Sequence, residues 1–484
     1  MFNQSVSAGL GLIVGSLLLS VQVLAADAQA VLKRAAQAMG EPKTLHYSAE
    51  GTGYTFGQAF APGQAWPKIT VHSQIRTINY DSGAMREEFT LSRAEPKGGG
   101  GYPLAGQQRN DQFISGAQAW NMAASTAQPG SRFVTDRFHQ LWITPHGVLR
   151  AAIKNQASVD FQTRKGKSLA VVSFTEPGRF VAKVFINEAF LVERVESRLP
   201  DPVLGEVSAV TQYSDYREVS GIQFPMQIRQ SQGGHPTLDV SVKEVVPNAP
   251  ADIQVPVAVA KATERVLSEK VSEGVWFISG GSHNSVAIEM KDHLVLVETP
   301  LNDGRSALVM EEVKKLAPGK PIRFVINSHN HFDHSGGLRS AAAAGATVIT
   351  QAGNKAYFEK AFATPNRIAP DLLAKSGKKA KLIGVGDKHE LSDGTRTIVL
   401  HRIKSGNHND TFQMVYLPKE KLLIEADAFT PGPPNAPAPA TPNANNLNLL
   451  ENIERLKLAV DTILPLHGRV VPVGELYTAL GKPR

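Results

Sequence analysis

The chain has 484 residues, 42% of them hydrophobic and 20% charged, with a formal net charge of +7 and no cysteine. That length exceeds one ordinary core and predicts two or three domains of soluble globular type. Lack of cysteine excludes a disulfide scaffold, thiolate metal ligands and a lipidated N-terminal cysteine, so any metal site must use His, Asp and Glu. The mild, unclustered positive charge suggests no nucleic-acid partner, only a modest pull on anionic substrates or membrane surfaces.

Residues 1–25 read as a signal peptide. An apolar run from about Ala8 to Leu24 ends in the cleavage-type triplet Val23-Leu24-Ala25, which predicts a periplasmic or secreted mature protein. The segment before the run has no Lys or Arg, and an uncleaved membrane anchor is the alternative. "DAQAVLKRAAQAMG" predicts a short helix stopped at Gly40. Residues 26–246 then alternate apolar and polar positions between turn signals, from "LHYSAEGTGYTF" to "TLDVSVKEVVPN", and predict a mostly antiparallel β domain. One helix is expected from about Thr135 to Lys154. The run Gly98–Gly101 lacks a strand-to-helix context and predicts a loop rather than a phosphate cradle.

The stretch "YSDYREVSGIQFPMQIRQ", Tyr213 to Gln230, resembles the closing strands of outer-membrane lipoprotein carrier proteins. That resemblance implies a half-barrel whose apolar concave face takes a lipid-like ligand. A sheet that only supports the next domain is the competing expectation.

The Pro/Ala-rich residues 247–264 predict a linker. From 265 to 484 the pattern changes to strands alternating with helices, which is α/β and makes the whole chain α+β. The apolar strand "IRFVI" runs into "NSHNHFDHSGG", with three histidines and an aspartate in six residues. His329 and His331 point the same way in an extended stretch, and a turn can bring Asp333 and His334 to a second point nearby. Imidazole and carboxylate suit zinc, and the carboxyl end of such a strand is where α/β sheets place chemistry.

The intact "HNHFDHSGG", with "SGNHND", "KLLIEADAF" and "ILPLHGRV" following in order, resembles the metallo-β-lactamase-fold hydrolase superfamily over about residues 265–484. The resemblance implies a four-layer αββα sandwich with two metal ions, zinc first, with iron or manganese also compatible. Carried over by motif, His329, His331 and His408 bind the first metal and Asp333, His334 and His467 the second, with Asp427 bridging. Glu298, in "VLVETP", is expected to brace the histidine loop. His283 and Asn284, in "GGSHNS", lie on a loop expected to overhang the metals and meet substrate, a local turn role being the alternative. The Pro-rich segment Thr430–Asn446 is expected to be an irregular loop that either roofs the site or covers the surface.

These ligands imply a metal-bound hydroxide that attacks an ester, lactone, thioester or amide-like bond, with Asp333 also aiming it. A β-lactam hydrolase is the nearest alternative, disfavoured because β-lactamases of this superfamily carry Cys or Ser where Asp427 stands. An iron-dependent oxygenase of the same fold and a lipid- or lipoprotein-binding module with a vestigial hydrolase half complete the alternatives. Substrate identity and oligomeric state are not encoded in any spacing here.

Overall fold

In a computed structural model of the chain, the described residues are 27–94, 106–164 and 166–483. The expected signal segment and the run Gly98–Gly101 lie outside them. Among the described residues no helix is long and apolar enough to cross a membrane.

The N-terminal half is one 13-stranded sheet, antiparallel throughout. Its first strand, Thr44–Tyr54, pairs with its last, His235–Pro247, so the ends of the domain meet mid-sheet. Strand Gly205–Val219 starts with strict alternation of buried and less buried residues, as expected when one face meets a core. Helix 27–39 and two helices further on, Val134–Trp142 and Pro145–Lys154, pack on that face. Leu32, Met39, Leu141 and Val148 share one cluster with Tyr47, Phe180, Phe224 and Val240 of the strands. These helices therefore fill the buried face of the sheet.

Three local expectations differ from the structure. The single helix Thr135–Lys154 is two helices. Pro145 occupies the first turn of the second, where its missing N–H costs nothing and its ring ends the helix before it. Four strands, Gln108–Ser115, Gln118–Ala123, Thr126–Pro129 and Ser158–Arg164, fall between the stretches whose alternation predicts strands, "MREEFTLSR" and "SLAVVSFTEPGRFVAKVFI". They lie at the two ends of the sheet, and the outer ones bury little, so their polar sequences carry little alternation. The amphipathic stretch "NNLNLLENIERLKLAV", which predicts one helix through Val460, is helical only to Arg455, because Lys457 takes φ +53° and turns the chain toward the next strand.

The C-terminal half stacks two sheets. The first has seven strands, from Leu267–Ser272 to Lys381–Val385, and the second six, from Lys388–Ser392 to Val471–Pro472. Val286, Val295 and Ile326 of the first sheet meet Leu400, Met414 and Ile424 of the second in one core cluster. Helices Asp303–Leu316, Leu338–Ala344 and Ala352–Ala363 cover the outside of the first sheet, and Ala444–Arg455 and Gly474–Ala479 that of the second. This is the expected αββα order. Strands Leu294–Val297, Ile322–Ile326, Thr347–Gln351 and Lys381–Val385 run parallel, so their carboxyl ends open on one edge of the sandwich.

Candidate metal centre

The centre is assembled from strand ends. After Ile322–Ile326, His329 and His331 project together, their ring centroids 4.4 Å apart. The short helix Phe332–Ser335 then carries Asp333 and His334 round to a second position. That turn needs the two glycines that follow. A Cβ on Gly336 would sit 1.9 Å from the Leu301 carbonyl oxygen, and one on Gly337 1.7 Å from Ser306 Oγ. Asp427 follows strand Leu422–Glu425 in a left-handed conformation, φ +56°. Glu425 Oε2 accepts from the Ala428 and Phe429 N–H groups, each at 3.0 Å, and so pins that turn. His467 follows strand Thr462–Pro465, and His408 sits in the loop before Gln413–Leu417.

Two groups of ligand atoms result, each within 4.8 Å of one another: His329, His331, His408 and Asp427, and beside them His283, Asp333, His334 and His467. Asp427 reaches both. Its Oδ2 lies 2.9 Å from His408, 3.3 Å from His329 and 3.1 Å from His334, while Oδ1 lies 2.8 Å from His467. The Nε2 atoms of His408 and His329 are 3.2 Å apart, and those of His467 and His334 3.1 Å. Two nitrogens bound to one tetrahedral zinc stand about 3.3 Å apart, from metal–nitrogen bonds of about 2.0–2.1 Å.

The residues fit metal ions on two further grounds. His331 is fully buried, yet neither of its ring nitrogens has a hydrogen-bond partner among the described residues, nor does His408 Nδ1. Buried polar atoms are rarely left so. The electrostatic demand is for positive charge. Burial opposes charging His334, but Glu298, Asp427 and Asp333 together hold it well above its ordinary value. Burial pushes His329 the other way, down to about 3, so it is a neutral donor.

Glu298 has no exposed surface and a positive φ of +62°. Its Oε2 lies 2.7 Å from His334 Nδ1, and its Oε1 accepts from Ser328 Oγ, which in turn is 2.8 Å from His329 Nδ1. One carboxylate therefore orients a histidine in each group, as ligating imidazoles require. His467 Nδ1 is 3.1 Å from the Ser282 carbonyl, which leaves its Nε2 facing inward. Asn284 pairs with the neighbouring backbone. Its side-chain amide donates to the Pro465 and Gly468 carbonyls and its backbone N–H to Leu466, stapling its loop to the His467 loop. His283, next to it, turns into the second group.

The N-terminal half reaches the same place, which no motif announced. Gln58 Nε2 donates to Asp333 Oδ1 at 2.8 Å. Phe332 N–H donates to the Gly57 carbonyl, Asp410 N–H to that of Phe60, and Asn330 and Asn409 side chains to that of Ala59. Gly57, at φ +79°, lies so close to the Phe332 ring that a Cβ would approach it to 2.7 Å. Phe332 in turn packs edge-on against Phe56 and Trp66, at centroid distances of 5.3 and 5.8 Å. Two such pairs contribute about 1 kcal/mol each beyond burial, and four backbone or amide hydrogen bonds add to them. Loss of the Gln58 bond, about 1.5–3 kcal/mol for a charged acceptor, therefore leaves the loop docked. Gln58→Ala is expected to keep the melting temperature within a few degrees and to weaken metal binding at the second group by roughly 10-fold. Metal titration followed by calorimetry reads this, and unchanged affinity would show that Gln58 does not position Asp333.

A cavity of about 760 Å³ adjoins the centre. His408 and Phe429 line it together with much of the segment 430–446, with Arg93 from the N-terminal half. The Pro-rich segment is therefore a wall of the space beside His408.

The sequence model of the metallo-beta-lactamase superfamily matches residues 278–467. A curated relative, the 2,4-dinitroanisole O-demethylase subunit alpha of Nocardioides sp. (strain JS1661), is 24% identical over 187 residues, 38% of this chain and 52% of that protein. The chain thus spans about half the length of the curated relative it matches. Among solved structures, a metallo-beta-lactamase from Pontibacter korlensis is 17% identical with a TM-score of 0.34, covering 45% of this chain and 98% of the other. The rubredoxin oxygen:oxidoreductase of Desulfovibrio gigas is 17% identical with a TM-score of 0.35, covering 44% and 60%. The family match ends on His467, the last of the ligand-type side chains gathered here, and the C-terminal half of this chain is a metallo-β-lactamase-fold domain.

Proposed function

We propose that the chain is an exported dinuclear metallohydrolase, zinc-dependent in the first instance, acting on an ester, lactone, thioester or amide-like bond. The observation that carries the dinuclear reading is the reach of Asp427, whose two carboxylate oxygens lie 2.8–3.3 Å from histidines of both groups. Bound there, the metals would supply Lewis acidity and an activated water.

The protein's own part is to fix geometry. Asp427 sets the spacing of the two groups. Glu298 orients His329 through Ser328 and His334 directly. Gln58 holds one oxygen of Asp333, leaving the other turned toward the second group. The cavity walled by residues 430–446 is of the size that takes a small organic molecule. Export follows from the apolar run Ala8–Leu24.

An activity screen of the metal-loaded full chain tests the reading. Lactones, aryl esters, thioesters and amides are expected to include the substrate. Phosphodiesters and β-lactams are the contrasting arms, and aryl ethers join them because the curated relative is named as an O-demethylase subunit. Elemental analysis runs beside it, with two metals per chain expected. Fewer than one per chain after reconstitution sinks the dinuclear reading, and turnover of β-lactams alone would replace the substrate class. N-terminal sequencing of the periplasmic or secreted fraction checks export, and a cytoplasmic protein still starting at Met1 would refute it.

A further inference from the structure

We infer that His283 is a metal ligand of the second group, giving that group one more protein ligand than the first. The inference rests on the dinuclear reading and adds to it a residue outside the HNHFDH motif and its distant partners.

His283 is 3% exposed, and its Nε2 lies 3.1 Å from Asp333 Oδ2. One ligand atom each from His283, Asp333, His334 and His467 falls within a single 4.8 Å set. The His283 ring stands 4.1 Å from that of His467 and 5.0 Å from that of His334, centroid to centroid. Its position is built rather than incidental. Asn284 ties the following residue to the His467 loop by three hydrogen bonds, and the Ser282 carbonyl meets His467 Nδ1. Residues 282–284 therefore set His283 and His467 side by side.

The far nitrogen of His283 is satisfied locally, its Nδ1 being 2.9 Å from Ser282 Oγ. A hydroxyl both donates and accepts, so Ser282 supports either tautomer. With Nδ1–H donating to Ser282, the Nε2 lone pair faces the Asp333 carboxylate, and a shared cation would take the place of the ring proton that otherwise joins the two at 3.1 Å. Gln58 already holds the other oxygen of Asp333, so Oδ2 is the oxygen free to share that cation with His283.

The count of donors follows. The first group has His329, His331, His408 and the bridging Asp427. The second has His283, Asp333, His334, His467 and Asp427. One exchangeable position added to each would make the first five-coordinate and the second six-coordinate. Zinc favours four ligands, whereas six N/O donors suit octahedral ions such as iron(II) or manganese(II). The second group is accordingly the one that shifts metal choice away from zinc.

The test uses the full chain loaded with cobalt(II), with two variants, His283→Ala and His283→Gln. Metal titration is expected to show two equivalents in the wild type. In His283→Ala one equivalent should weaken by at least 10–100-fold, the range a mere supporting residue costs, and the other should stay unchanged. The cobalt absorption should strengthen as a six-coordinate ion becomes five-coordinate. His283→Gln can still donate a hydrogen bond to Asp333 but has no imidazole nitrogen, and it is expected to behave as His283→Ala. Restoration of wild-type affinity and spectrum by His283→Gln, or their retention in His283→Ala, overturns the assignment and leaves a hydrogen-bonding role, with the dinuclear reading intact. A wild type that binds fewer than two equivalents refutes the dinuclear reading instead.

Discussion

His331→Ala is expected to lose the metal of the first group and with it essentially all turnover. His331 is fully buried, and its two ring nitrogens have no partner among the described residues. No neighbour can take its place, because the adjacent imidazoles, His329 and His408, already belong to the same group. Removing a direct donor should cost more than the roughly 10–100-fold that loss of a supporting residue costs in metal affinity. The fold should survive. A truncated buried side chain costs about 2–5 kcal/mol by analogy with other core truncations, set against a total of about 5–15 kcal/mol for a typical domain. Removing an imidazole that lacks hydrogen bonds also leaves no new unpaired group behind. Elemental analysis with a thermal melt separates the two effects. A folded His331→Ala protein that keeps two metals per chain would remove His331 from the ligand set.

The clustering of His329, His331, Asp333 and His334 was legible because it is written in one local pattern. Four of the candidate ligands, His329, His331, Asp333 and His334, come from one tight turn, and "HNHFDHSGG" writes that turn out, glycines included, since Leu301 and Ser306 leave no room for a side chain behind it. Glu298 was legible for a similar reason, at the end of an apolar strand beside the motif strand. The contribution of Gln58 was not. It lies 275 positions from Asp333 in sequence, and a lone glutamine in a β-domain loop carries no periodicity or spacing. The same holds for Glu425, whose carboxyl, pushed up to about 8 by burial, reads in sequence as an ordinary strand residue. His283 and Asn284 were singled out together on a loop expected to meet substrate, with a local turn role as the alternative, and adjacent residues in an irregular loop need not share a direction. One turns to Asp333 and the other to three backbone carbonyls. In the N-terminal half, the central strands alternate strictly and were found, while the outermost, Thr126–Pro129 and Ser158–Arg164, with little to bury, were not.

Asp427→Asn is expected to retain the fold, weaken the metal of the second group and lower turnover by on the order of 10²-fold, comparable with loss of a transition-state stabiliser. The substitution keeps size and removes charge. Burial opposes ionisation of Asp427, yet His334 and His408 hold its carboxyl well below the usual range, so the anionic form is the one the site is built around. An asparagine offers one oxygen acceptor and one amide donor where the carboxylate offers two acceptors. With Oδ1 facing His467 and Oδ2 facing His329, His334 and His408, one of the two groups must then meet an N–H. The side with a single contact, His467, is the one the amide would turn toward, which is why the second metal should weaken first. The left-handed φ at 427 suits asparagine as well as aspartate, so the backbone should be undisturbed. Asp427→Ser, by contrast, should not yield an efficient β-lactamase, because the space beside the ligands is walled by residues 430–446, which the substitution leaves unchanged. Metal titration and turnover of Asp427→Asn decide the matter. Two tightly held metals with full activity would show that Asp427 does not bridge, and the main reason for setting the β-lactam reading aside would fall with it.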